Sequence, residues 1–347
     1  MIIDEVVVTN IHKNSSGVSI SIQNLLPIQN KNINIQLIDK GGIHYAKVIS
    51  IWKTILGGFK KHPVYKNRIW HARRSHEMLL GILLKKILRQ KWRLIYTDAK
   101  AKPHNPVHQT FIRQMDYVIG VCDRQTRTNP YVNEIINHGV DISRFTPSHV
   151  NTSRNIQEFN AKYIILSCGR IRYSKGTDLF VNELIPILHK FRDFSAVWIG
   201  MLKKADKIFF RDLQKRIKDA GMEERIFFLG HKSQDEVIEY LQNSHLLFAP
   251  SRREGFGLTA LEAMSCGVPV LSSDQGVWPE LIQPNQTGDI FHSNDPSQIT
   301  HKLTSLLQYP DLLEKMGKAA RKHVEEHYPL TLEAAKINAV YKKLLQQ

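Results

Sequence analysis

The chain has no run of about 18 apolar residues, so no span across a bilayer is expected. It also lacks an Asp-x-Asp pair, a common carboxylate arrangement for holding a metal against a diphosphate, and no metal is expected. No strand-like segment leads into a Gly-x-Gly-x-x-Gly turn with an acidic residue about 20 positions on, which counts against an NAD-dependent oxidoreductase. Cysteine is scarce. Cys122, Cys168 and Cys266 are far apart, odd in number and without metal-ligand spacing, so they read as reduced thiols of a cytosolic protein, packed at strand or helix ends. The first strand-like segment, EVVVTN, starts at Glu5 and leaves no room for a signal peptide. Internal repeats and long low-complexity tracts are absent, and so is any interleaved Arg/aromatic strip of the kind that binds nucleic acid.

What is present is a chain of 347 residues, long enough for two domains. Its net charge of +16 is unevenly spread: residues 1–155 hold 23 Lys/Arg against 9 Asp/Glu, residues 156–347 hold 25 against 23. A field confined to one half suggests an anionic partner for that half, whether nucleic acid, an anionic lipid surface or an acidic small substrate. The plain alternative is a solvated basic face. Both halves alternate short apolar strands with helical segments, the pattern of α/β proteins with doubly wound parallel sheets. EVVVTN, INIQLID, RIWHA, RLIYTDA, YVIGVCD and VNEIINHG are the strands of the first half. YIILSCGR, FSAVWIG, RIFFLG, HLLFAPS, PVLSS and TGDIF are those of the second. The polar segment 148–160 reads as the linker, which places domains at 1–150 and 151–328 and a terminal amphipathic helix at 329–347. Such sheets bind ligands at the C-terminal ends of their strands.

The stretch SRREGFGLTALEAMSCGVPV, residues 251–270, carries the sharpest signal. A strand ends near Ser251, and a helix is expected from about Leu258 to Met264. Gly255 and Gly257, with Phe256 between them, let the backbone turn tightly and approach a ligand. The first helical turn then offers unpaired N–H groups and the positive end of the helix dipole, an anion site. Glu254 precedes the turn and Glu262 lies about one turn inside the helix, each able to accept hydrogen bonds from hydroxyls. Phosphate at the helix start with a sugar on either side describes a nucleotide sugar. Taken singly, each glutamate reads as an ordinary helix residue; the pair around GFG favours the ligand. In SCGRIRYSKGTD, Arg170 and Lys175 follow a strand and open a helix, where two cations can neutralise a departing diphosphate. In the first half, Gly17 begins a helix after the first strand, and RIWHARRSHEMLLG sets His71, Arg73 and Arg74 just beyond another. Arg73 and Arg74 offer planar forks suited to carboxylate or phosphate. Residues 76–93 mix an apolar stretch with five cations, which suits either an anionic membrane surface or a core helix with a basic C-terminal end.

The second half resembles the donor domain of retaining GT-B glycosyltransferases of family 4, also called group 1. The likeness runs through CGRIRYSKG, FLGHKSQDEVIEYLQNSHLLFAPSRREGFGLTALEAMSCGVPVLSS, GVWPELI and NQTGDIF, and covers essentially all of residues 160–347. HGVDISRFTP, residues 138–147, is similar to the segment closing the N-terminal domain in that family. With RIWHARRSHEMLLG it resembles lipopolysaccharide core mannosyltransferases that act on Kdo, a carboxylate sugar. The resemblance implies two Rossmann-like doubly wound domains facing a central cleft, with the C-terminal helix crossing back to the first. It implies that Glu262 binds ribose hydroxyls, Glu254 contacts the transferred sugar, Arg170 and Lys175 hold the diphosphate, and the amides of Gly255, Phe256, Gly257 and Leu258 seat phosphate. On the same resemblance Gly17 is expected to bring further backbone amides near the donor; His71, at a strand end, reads either as a structural residue or as one that orients a sugar, and Arg73 and Arg74 as forks for the acceptor. The expected reaction is retaining transfer of mannose from GDP-mannose, with no cofactor or metal, to an anionic lipid-linked saccharide at the inner face of the cytoplasmic membrane. The alternatives are a glucosyl- or galactosyltransferase using a UDP-sugar and, outside enzymes, a basic nucleic-acid-binding protein.

Overall fold

The computed structural model describes residues 3–13, 17–45, 47–100, 103–148, 159, 161–295 and 297–347. Of the linker segment 148–160, only Ser148 and Phe159 lie among these. The chain divides into two compact units, Met1–Gly139 with Leu330–Gln347, and Val140–Pro329. The boundary therefore falls before position 150, and the physical reason is local. Val140 donates its N–H to Tyr328 O at 2.9 Å. Phe145 is buried, and its carbonyl accepts from Ser265 Oγ at 2.6 Å and from Arg321 Nη1 at 2.7 Å. The segment after Gly139 is thus built into the second unit.

The first unit is a six-stranded parallel sheet: β1 (Val6–Asn10), β2 (Ile35–Asp39), β3 (Arg68–Ala72), β4 (Trp92–Asp98), β5 (Tyr117–Gly120) and β6 (Glu134–Ile135), in the order β2-β1-β3-β4-β5-β6. Helices cover both faces, so β1 and β3 are buried at every position, the polar Thr9, Asn10, Arg68 and His71 included. The second unit repeats the plan with β7 (Tyr163–Cys168), β8 (Phe194–Ile199), β9 (Ile226–Gly230), β10 (Leu246–Ala249), β11 (Val270–Ser273) and β12 (Gly288–Phe291), ordered β12-β11-β10-β7-β8-β9. In both sheets the strand order reverses beside the first strand, between β1 and β3 and between β7 and β10. A crevice opens at such switch points, because the connections leave to opposite faces.

The last helix, Leu330–Leu345, belongs to the first unit. Ile337, Val340, Tyr341 and Leu344 enter its core beside Leu25, Leu26 and Ile69. Polar contacts fix the helix in register. Glu333 accepts from Gly139 N at 2.8 Å and lies 2.7 Å from His138 Nδ1, and Asn338 exchanges two hydrogen bonds with Gln29, both at 3.2 Å. Residues 76–93 divide between core and surface: Met78 and Leu84 are buried, whereas Leu79, Leu83 and Ile87 are exposed. Helix Ser75–Ile82 widens into a π-helical turn over Leu83–Ile87, where Leu88 N–H reaches back to Leu83 O at 3.0 Å, and Arg89 at φ 53° follows it. Among the described residues no helix is long and apolar enough to cross a membrane.

Glu333→Ala removes the acceptor shared by His138 and Gly139 N–H, and is expected to cost about 1–3 kcal/mol. Hydrogen exchange of amides in Leu330–Leu345 should quicken accordingly, and unchanged protection would show that the helix is held by its apolar face alone.

Candidate active site

In the second unit the loops leaving β7 and β10 meet at the switch point. Lys175 ends a short 3₁₀ turn, Tyr173–Lys175, and its stem passes Gly169, with Cδ 3.7 Å from where a Cβ would stand. Its Nζ lies 2.6 Å from Glu254 Oε2, and both side chains are mostly buried. Glu254 also accepts from Ser251 Oγ at 3.3 Å and from Gly255 N at 3.1 Å. The GFG turn follows. Gly257 has φ 74°, and a Cβ there would strike the indole nitrogen of Trp278, whose Nε1 donates to Gly257 O at 3.2 Å. Gly276, at φ 64°, leaves no room for a Cβ against Gly255 O. Two left-handed glycines and a buried tryptophan thus hold the turn open at the start of helix Leu258–Ser265. The first N–H groups of that helix have no preceding helical carbonyl, and the dipole adds positive potential. Phe256, within the turn, is itself buried.

Arg170, on the loop after β7, is exposed, and its guanidinium meets no acceptor among the described residues. Lys175 is engaged by Glu254 while Arg170 is open, an asymmetry the spacing R-x-x-x-x-K does not reveal. Glu262 is half-buried by accessible surface, yet the protein packed around its carboxyl pushes its pKa up to about 7, with Arg144 opposing the rise. Its carboxylate accepts no hydrogen bond among the described residues, so it is a desolvated acceptor awaiting donors. A narrow cavity at the ends of β7, β8 and β10 is lined by Lys175, Ser251, Thr259 and Trp278. An open groove of about 540 Å³ is lined by Arg172, Tyr173, Ser174, Asp206, Arg252 and Arg253, and neither glutamate lines it. Among the described residues no group of three His, Cys, Asp or Glu side chains is placed to hold a metal ion.

Arg252 is a residue that sequence reasoning passed over. Its guanidinium forks onto Asp178 at 2.6 and 2.8 Å, donates to Tyr173 O at 2.9 Å and lies 3.9 Å above the Tyr173 ring. It ties the loop after β10 to the loop after β7. The doubled arginine before Glu254 was its one sequence signal.

The first unit departs further from expectation. His71 is fully buried, with Nδ1 2.6 Å from Tyr341 Oη and Nε2 2.7 Å from Thr97 Oγ1. Burial, and then the charge of Arg73, hold its pKa well below the usual value. A neutral ring with both nitrogens bound to protein joins the last helix to the sheet; it is a packing residue here, not one presented to substrate. Arg73 is buried too. It donates from Nη1 to Ser21 Oγ at 3.3 Å, while its buried Nε has no partner among the described residues. Arg74 bonds Asn10 Oδ1 at 2.9 Å and Glu77 Oε1 at 3.2 Å. The organiser of this end is Glu77, wholly buried, which also accepts the N–H groups of Ile11, Arg73 and Arg74. Its position three residues after Arg74, at the third residue of a helix, lets its carboxylate cap the Arg74 N–H at the helix start. Gly17 opens helix Gly17–Gln29 with space around it. A second unforeseen cluster closes β4: Asp98 binds His104 Nε2 at 2.7 Å and Asn129 Nδ2 at 2.9 Å, and the His104 and His108 rings stack at 4.2 Å. Burial, then His104, brings His108 down to about 4.

The family model of group 1 glycosyl transferases matches residues 150–323. The lipopolysaccharide core biosynthesis mannosyltransferase LpcC of Rhizobium leguminosarum bv. viciae is 33% identical over 343 residues, 98% of this chain and 97% of that one. LpsB of Rhizobium meliloti, also a lipopolysaccharide core biosynthesis mannosyltransferase, is 32% identical over 99% of this chain and 98% of its own length. The solved structure of Anabaena HepE in complex with UDP superposes with a TM-score of 0.81 at 15% identity, covering 98% of this chain and all of that one, a likeness of fold. Two parallel sheets with matching switch points, the glutamate pair around a glycine turn, and identity along nearly the whole length lead to one conclusion: this chain belongs to the group 1 glycosyl transferases and has the GT-B fold.

Proposed function

We propose that the protein is a retaining mannosyltransferase that moves mannose from GDP-mannose onto a lipopolysaccharide core acceptor bearing a carboxylate sugar such as Kdo. The observation that carries the reading is the Lys175–Glu254 pair at 2.6 Å beside the start of helix Leu258–Ser265. The sugar and acceptor follow the names of the relatives that match over nearly the full length. In this reading the diphosphate seats on the amides from Gly255 to Leu258 and draws Lys175 from Glu254, while Arg170 supplies the second charge. Glu254, released, accepts hydroxyls of the mannose, and Glu262 accepts those of the ribose. The C1–O bond to phosphate breaks and the acceptor oxygen bonds C1 on the same face. The acceptor proton passes to the departing phosphate, so GDP and a glycoside are the products. Positive charge developing near C1 and negative charge on the diphosphate are both met by groups already in place, so no metal is needed for the step. The first unit, with its excess of cations, takes the anionic acceptor, and the enzyme works at the cytoplasmic face of the inner membrane.

A donor panel tests this directly: GDP release from GDP-mannose in the presence of Kdo-terminated lipid A is expected, with none from UDP-glucose. Release of UDP alone would overturn the donor assignment and leave the fold untouched. Arg170→Ala with Lys175→Ala is expected to lower kcat by a factor of at least about 100 with the melting temperature retained; unaltered turnover would remove both from the diphosphate.

Glu262 makes a pH prediction. With a carboxyl pKa near 7 in the free protein, only the ionised form can accept both ribose hydroxyls, so GDP binding should tighten as pH rises from about 6 to 8 and then level off. Glu262→Gln should flatten that dependence and weaken binding roughly tenfold or more. Isothermal titration across the range measures both, and an unchanged slope in the variant would reject the assignment.

A further inference from the structure

The open groove of about 540 Å³ beside Tyr173 is a second recess on the second unit. Its volume lies in the range of clefts that take small molecules. Lys175, Ser251 and Trp278 line the narrow donor cavity, and none of them lines the groove. Its walls are fixed by protein contacts alone. Ser174 O accepts the N–H groups of both Arg252 and Arg253 at 3.1 Å. The Arg252 guanidinium is spent on Asp178 and Tyr173 O, and it stacks on the Tyr173 ring. Gly176, at φ 72°, leaves no room for a Cβ against Pro250 O, so the two loops meet backbone to backbone. A recess built this way loses little freedom when it binds.

The groups left unspent define what it can hold. Arg172 donates from Nε to Ser174 Oγ, and neither Arg172 nor Arg253 meets a carboxylate among the described residues. Asp206, at the start of helix Lys207–Asp219, makes no capping bond through its side chain and meets no cation among the described residues. The Tyr173 ring is 60% exposed. Each of these alone is an ordinary surface residue. Together they line one groove. A sugar answers all of them: its face of C–H groups packs on an aromatic ring, its hydroxyls donate to a carboxylate, and a carboxylate of its own accepts paired bonds from a guanidinium. Charge decides which anion. Arg252 and Asp178 cancel, so two arginines against one aspartate leave a single positive excess. One carboxylate neutralises that excess, whereas a phosphate monoester brings about 1.5–2 negative charges and overshoots it.

We propose that this groove is a second saccharide site, separate from the donor cavity, for a sugar bearing one carboxylate. Tyr173 stacks on the sugar ring, Arg172 and Arg253 fork the carboxylate, and Asp206 accepts hydroxyls. The proposal rests on the transferase reading only for its purpose, a hold on a further acidic sugar of the acceptor.

The full chain, with and without saturating GDP, is titrated with the methyl glycosides of Kdo and of glucuronic acid, with their neutral methyl esters, and with mannose 6-phosphate. Saturation-transfer NMR should detect at least one of the two acids, with GDP present or absent, and neither ester; mannose 6-phosphate should bind more weakly. Arg172→Gln with Arg253→Gln should weaken binding of the acid roughly tenfold to a hundredfold. Asp206→Ala should weaken it severalfold although it removes a negative charge. Tyr173→Trp should keep binding and gain an emission change on titration. The parent chain supplies the baseline, since its one largely exposed tryptophan, Trp52 at 72%, belongs to the first unit. GDP affinity should hold in every variant. Silence from both acids, equal binding by the arginine variant, tighter binding by Asp206→Ala, preference for an ester or for mannose 6-phosphate, or a signal that GDP abolishes would each overturn the proposal. Mannose transfer without binding at the groove would sink this site and spare the enzyme; binding there without transfer would do the reverse.

Discussion

A parallel strand can pair with its neighbour only after the chain has crossed back over the sheet. That constraint places every strand's C-terminal end on one edge and sends the connections to opposite faces at the switch point. In the second unit it brings the loop after β7 against the loop after β10, and Lys175 meets Glu254 across 79 residues of sequence. The Asp178–Arg252 fork repeats the contact a few residues away. Without the crossover, the cations and the acids would belong to separate surfaces.

On that frame, the site is prepared by groups whose needs are only partly met. The helix start at Leu258 has amides with no helical partner, Glu262 has a half-buried carboxyl with no donor among the described residues, and Arg170 has a charge without an acceptor among them. Lys175 and Glu254 satisfy each other, which keeps a mostly buried pair from standing unpaired while the site is free of ligand. In the proposed reading, an arriving phosphate and its sugars would answer each of these at once. The two left-handed glycines matter because they let the backbone hold this arrangement where a Cβ would collide with Trp278 or with Gly255 O.

The first unit uses the same switch point differently. There the buried Glu77 collects Arg74 and three backbone amides, so the arginines at the end of β3 are held by protein, and His71 is sealed beneath the last helix. Much of the positive excess of this half lies elsewhere, around the exposed face of helix Ile51–Gly57 and the turn at Arg89. A net charge counted along a chain cannot tell these two destinations apart.

Alternation of apolar runs with helical segments, and the glycine turn between two acids, were legible because both are local: strand burial, tight turns and helix starts depend on neighbours within a few residues. EVVVTN, RIWHA and YIILSC are strands for that reason, and the turn Gly255–Gly257 leads into a helix for the same one. The sequence by itself therefore determined the α/β class and the twelve strands found among the described residues, and it nominated donor residues in the second half. Only the tertiary structure decided that His71 faces Tyr341, that Glu77 organises the arginines, that Asp98 gathers His104 and Asn129, and that Trp52 remains in solvent. Those outcomes depend on which distant segment covers a side chain, and burial by a helix some 270 residues away leaves no trace in the spacing of the residues it covers.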